Sequence, residues 1–241
     1  MGIFLINVSF PLGEKEGTFL HPVSEFLLRT QIFLLSIKTP ILLTTGYLFR
    51  TKMKEAYNYG DLVKLFEQNI ERMKQFRDIP DDLLSLKPDS KSWSAGEIFQ
   101  HLVKFNNIYL SPIRKAVNQS DEKNGVHELF KPRFLVSLMI RFLRPPYKIK
   151  IGTIAPMYPV DNETDNYRNS LEELIESNKT VIGEIDSFRS KQLDLNSIKE
   201  KNPVFKFKMT VIEFLLMFEA HQQRHFWQTE KTLKTLSGKT Y

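Results

Sequence analysis

His221 and His225 stand four residues apart in a stretch whose apolar residues recur with helical period. On a helix that spacing stacks them one turn apart on one face, with roughly 5–6 Å between their side-chain bases. Both imidazoles then reach a single ion at about 2.0–2.1 Å. His101 falls between Ile98 and Phe105 in a second apolar stripe, and so points toward the core. Burying three imidazoles is costly unless each donor and acceptor finds a partner, and one shared divalent metal satisfies three nitrogens at once. A single histidine on an apolar face is more often a hydrogen-bonded core residue, and the spacing by itself leaves that alternative open.

Other chemistries leave no trace. The His-x-x-x-His spacing also occurs in zinc proteases, where a glutamate after the first histidine is the general base; here that position is Gln222, which cannot usefully accept a proton. There is no phosphate-cradling glycine-rich loop, no Gly-x-Ser-x-Gly elbow and no dinucleotide fingerprint, so no catalytic residue is assigned beyond the histidines. The chain has no cysteine, which excludes disulfides, thiolate-bound zinc and a cysteine nucleophile. That usage fits a reducing, cytoplasmic setting, and any thiol in the reaction must arrive with the substrate. Gln228, three residues past His225, is either a partner that orients its ring or a surface glutamine. Trp93 is expected to pack at the entrance of the helix carrying His101 rather than to touch substrate. His21 and His127 read as surface residues.

Positioning these groups requires helices. Leu62, Leu65, Phe66, Ile70, Met73 and Phe76 recur at three- and four-residue spacing after Gly60, and Pro80 ends that run. A second helix opens at Ser94 with Glu97 three residues on, a capping box in which each side chain satisfies a backbone donor at the helix start. Its stripe is Ile98, Leu102, Phe105, Ile108 and Tyr109, continuing to Pro112 and Ile113. A third helix is expected over residues 163–189, with Tyr167, Leu171, Leu174, Ile175, Val181, Ile182, Ile185 and Phe188 as its apolar positions. Thr210 and Glu213 form another capping box, and the stripe Val211, Phe214, Leu215, Phe218 leads on to His221 and His225. No alternating pattern is strong enough for a sheet. The expected architecture is all-α, a four-helix bundle with one long crossover over residues 119–162, a known way to aim side chains into a buried metal site. A connection of that length is usually functional.

Apolar residues make up 41% of the 241, with 19 phenylalanines, enough for a sizeable core. The first fifty residues read differently. Residues 1–10 are apolar without a basic leader, and residues 26–49 are apolar but interrupted by Arg29, Lys38 and Pro40, which argues against a membrane span. The expected division is an N-terminal extension over residues 1–54, outside the functional domain, and a bundle over residues 55–241. The net charge is +6, and residues 131–150 hold Lys131, Arg133, Arg141, Arg144, Lys148 and Lys150 with no acid. Such a segment suits an anionic small molecule, an acidic partner or a lipid surface, or is a solvated basic loop. No nucleic-acid-binding motif accompanies it.

The run from Ser92 to Leu102 (SWSAGEIFQHL) and the run from Glu219 to Gln228 (EAHQQRHFWQ) resemble the DinB-like (DinB/YfiT) superfamily. The basic, proline-marked run from Lys148 to Pro159 is similar to the crossover of one of its branches. The resemblance covers about residues 57–236. It implies a four-helix bundle with a long second crossover and one divalent ion, zinc or nickel, held by His101, His221 and His225. Members include transferases using low-molecular-weight thiols, isomerases and hydrolases. The expectations that follow are a metal-dependent transferase activating such a thiol, an anionic small-molecule partner met by Lys148 or Lys150, and a homodimer. Hydrolysis at the same site and a metal-binding module without turnover stand as alternatives.

Overall fold

The computed structural model describes residues 53–120, 129–146, 152–160 and 167–238. The chain divides into two units, Met1–Arg50 and Thr51–Tyr241, and every described residue lies in the second. Residues 1–49, with both apolar stretches and His21, lie outside the described residues, as do His127, Lys148, Lys150 and residues 163–166.

Six helices are described: α1 (Tyr59–Gln75), α2 (Asp81–Ser85), α3 (Ala95–Asn118), α4 (Phe134–Leu143), α5 (Tyr167–Ser190) and α6 (Val211–Ser237). Both expected capping boxes form, Ser94 with Glu97 at α3 and Thr210 with Glu213 at α6. A third was not read from the sequence: Asn58 accepts from the Asp61 N–H at 2.8 Å while the Asp61 carboxylate accepts from the Asn58 N–H at 3.2 Å. Three of the four long helices thus begin where a side chain satisfies an otherwise orphaned donor. α1 and α3 each pack on both α5 and α6, which closes the all-α bundle. No described helix is long and apolar enough to cross a membrane.

The sheet among the described residues, which no alternating pattern announced, is a small hairpin, β1 (Lys199–Lys201) and β2 (Lys208–Thr210), antiparallel with Glu200 opposite Met209. Buried Asn202 closes its turn, its side-chain oxygen accepting from the N–H groups of Val204 and Phe205, each at 2.9 Å. Three-residue strands rich in lysine are too short to show a period of two.

The crossover is a strap along the last helix. Phe130 and Tyr57 exchange backbone hydrogen bonds of 2.9 and 2.7 Å, and Met53 is buried in the same cluster. α4 then buries Val136, Ile140 and Leu143 and packs on α6. Two of the basic residues turn inward. Arg133 pairs with fully buried Glu213 at 2.7 Å, and Arg144 pairs with buried Glu219. This strap explains why residues 211–220 are buried on every side: the bundle covers one face of α6 and the crossover the other.

Apolar packing forms two clusters, one holding Phe66, Phe105, Val181 and Phe218, the other Ile70, Leu102, Ile175 and Phe226. In each long helix the change from one cluster to the next falls at a buried polar residue or between two of them. These are Asn69 in α1, His101 and Asn106 in α3, Asn178 in α5, and Gln222 with His225 in α6. The core is therefore two apolar halves with a polar layer between them, and the histidines lie in that layer.

Candidate metal centre

α3 delivers His101 and α6 delivers His221 and His225, and one ring nitrogen from each lies within 4.8 Å of the others. Ring centroids are 5.3 Å apart for His101 and His221, 4.6 Å for His101 and His225, and 4.5 Å for His221 and His225. Among the described residues the group contains no carboxylate.

Hydrogen bonds on the far side of two rings select the tautomer. His101 Nδ1 lies 2.8 Å from the Met157 carbonyl oxygen, so it carries the proton and donates, leaving Nε2 bare. His225 Nδ1 donates in the same way to Gln228 Oε1 at 3.1 Å, so Gln228 is a partner of the ring rather than a surface residue. Backing of this kind is what orients imidazoles for a metal. His101 Nε2 stands 3.1 Å from His221 Nε2. Two nitrogens each about 2.0–2.1 Å from one ion are separated by about that distance; a single shared proton also fills the gap.

The electrostatics keep the rings neutral. Burial pushes His221 and His225 well below the ordinary imidazole value, and neighbouring imidazoles and Arg224 push them further. Burial lowers His101 as well, opposed in part by the Met157 hydrogen bond and helped by Lys104. Neutral imidazole is the form that binds a divalent ion, so donor type, tautomer and protonation all fit one. Arg224, buried between the two α6 histidines in sequence, is a site residue missed earlier. Its signal was present, since His221, Arg224, His225 and Gln228 fall at i, i+3, i+4 and i+7 on one helix face.

Trp93 precedes the first helical turn of α3, as expected, and reaches beyond it. Its indole is not confined to the helix entrance but lies 4.9 Å from the His101 ring and 6.4 Å from that of His225, nearly parallel to the latter. Phe105 stacks under His221 at 3.9 Å and 12°. The crossover supplies the remaining wall. Lys104 Nζ donates to the Tyr158 carbonyl at 2.6 Å, and the Val160 N–H donates to Gln100 Oε1 at 3.2 Å, so α3 holds the segment whose Met157 carbonyl backs His101.

Gln222, at the position of a protease's base, faces away from the metal group. It accepts from Asn69 Nδ2 at 2.7 Å and reaches Asn106 at 3.5 Å, tying α1, α3 and α6 together. Burial pushes the Glu219 carboxyl up to about 7 in spite of its ion pair with Arg144.

Searches among curated proteins and among solved structures give no match. The model of the DinB superfamily matches residues 65–229, a span running from the first turns of α1 through the whole layer of histidines to Gln228 and the residue after it. With two thirds of the sequence inside that match, the chain belongs to the DinB superfamily.

Proposed function

We propose that His101, His221 and His225 hold one divalent ion, zinc or nickel, and that the protein is a transferase activating a low-molecular-weight thiol there. The observation carrying this reading is the convergence of three neutral imidazoles, two of them backed at Nδ1. A divalent ion held by these three neutral ligands would keep its full charge and would favour the thiolate form of a small thiol, the nucleophile. The chain's residues do the rest. Met157 and Gln228 fix two rings, Phe105 supports the third, and the positive charges of Lys104 and Arg224 favour an anion beside them. The thiol proton leaves to solvent, sulfur bonds to the electrophilic carbon, and the leaving group departs with its electron pair.

Hydrolysis is less well supported. A base beside the attacking water would favour it, but Gln222 is turned into the core and Glu219 is engaged by Arg144.

The test is elemental analysis of the full chain purified without added metal, beside single His101→Ala, His221→Ala and His225→Ala variants. About one ion per chain, lost in each variant, is expected. Turnover of an aryl chloride should then require both metal and a small thiol. Absence of metal even after incubation with zinc and nickel refutes the site. Turnover of an ester without thiol transfers the assignment to hydrolysis.

A further inference from the structure

The rings around the histidines are not equally buried. Phe105, Met157, His101 and His225 are buried, whereas Trp93 and His221 are half-buried and Tyr158 is exposed. Among the described residues, the less buried rings at the site are therefore those of Trp93, Tyr158 and His221 itself. Trp93 and Tyr158 meet edge to face at 6.2 Å, and the indole centroid lies 4.9 Å from the His101 ring and 6.4 Å from that of His225. A ligand held at the three nitrogens would have the indole as a neighbour. The charged described residues whose fields reach the histidines, Lys104 and Arg224, are both cations.

We infer that Trp93, with Tyr158, is the specificity-determining wall of the substrate subsite, and that it selects a thiol carrying a flat aromatic or unsaturated group and an anionic substituent. This rests on the thiol-transferase reading and adds the substrate class. A half-exposed indole beside an otherwise buried polar group keeps apolar surface in contact with water. A planar group laid on it removes that surface and adds a ring–ring contact. Lys104 donates one of its three N–H bonds to the Tyr158 carbonyl, so its charge is held at the same wall.

Two thiols of the same alkanethiol type, each with a carboxylate, separate the ring from the sulfur: 4-(mercaptomethyl)benzoate and 3-mercaptopropionate. Trp227, the second tryptophan of the chain, lies against Lys231 at 4.4 Å, and Trp227→Phe leaves Trp93 as the fluorophore. In the zinc-loaded Trp227→Phe protein, the benzylic thiol is expected to quench Trp93 and to bind roughly tenfold more tightly than the ring-free one. Adding Trp93→Leu, which keeps bulk without a ring, should abolish that preference in calorimetric titrations. Equal affinities, or a preference that survives Trp93→Leu, overturn the inference. Cobalt-loaded protein distinguishes the two failures. Sulfur-to-cobalt charge-transfer absorption with both thiols but no ring preference sinks the Trp93 wall alone, and absorption with neither sinks the thiol reading and the wall with it.

Discussion

At the scale of single residues, the candidate site depends on hydrogen bonds made at Nδ1 of His101 and of His225, on the side of each of these two rings away from the other histidines. His225 can present Nε2 as a lone pair because Gln228 accepts from its Nδ1. Replacing Gln228 with leucine removes that acceptor and frees both the tautomer and the ring torsion. Zinc affinity is expected to fall about tenfold, measured by competition with a chromophoric chelator, while Gln228→Glu should hold or raise it because a carboxylate accepts more strongly. Unchanged affinity in Gln228→Leu would mean that packing alone orients the ring. The three histidines and Gln228 were legible in the sequence because α-helical spacing converts directly into a shared face. Trp93 was not, since it precedes the helix and its contacts with His101 and His225 depend on how α3 meets α6. The Met157 carbonyl was equally hidden, being a backbone group brought in from a crossover whose path no periodicity describes.

Among the elements, the strap over α6 makes a prediction about acid stability. Glu213 is fully buried, which by itself raises its carboxyl, but hydrogen bonds from Arg133 and from the Thr210 N–H outweigh burial and hold it below the ordinary glutamate value. A carboxyl lowered in the folded state contributes stability above its unfolded value, about 4.3, and loses it as pH falls through the folded value. Arg133→Ala is therefore expected to cost about 1–3 kcal/mol at neutral pH, with the gap to the parent narrowing below about pH 4. Urea unfolding at several pH values tests this, and a gap independent of pH would place the cost in lost packing instead. α3 makes a second prediction. A Cβ at Gly96 would stand 2.1 Å from the Tyr167 ring, so Gly96→Ala should destabilise by about 1–3 kcal/mol, readable as a lowered melting temperature. Helix faces and two capping boxes were legible because they are local, fixed by residues within one or two turns of each other. The hairpin was too short to carry a pattern, and the inward turn of Arg133 and Arg144 was hidden because their partners lie 75 or more residues away on α6.

Across the whole molecule, the polar layer between the two apolar halves decides how metal and folding are linked. A stripe-by-stripe reading names apolar residues and passes over Asn69, Asn106, Asn178 and Gln222, so the layer emerges only when four helices are set side by side. Asn69, Asn106 and Gln222 satisfy one another directly, whereas the histidines bring one ring nitrogen each within 4.8 Å of the others, close enough to share one ion at a common point. An ion at that point binds the folded chain and not the unfolded one, because His101 and the α6 pair are separated by 120 residues and meet only when the bundle closes. Stability should then rise with the logarithm of free zinc, by about 2.7 kcal/mol at a hundred times the dissociation constant. For a domain of this size that is a shift of roughly 5–11 °C in melting temperature. A chelator should reverse the shift, and His101→Ala should melt at one temperature whatever the zinc concentration. If the parent protein melts independently of zinc and nickel, the layer is held by imidazole hydrogen bonds alone, and the 3.1 Å contact between His101 and His221 is a shared proton.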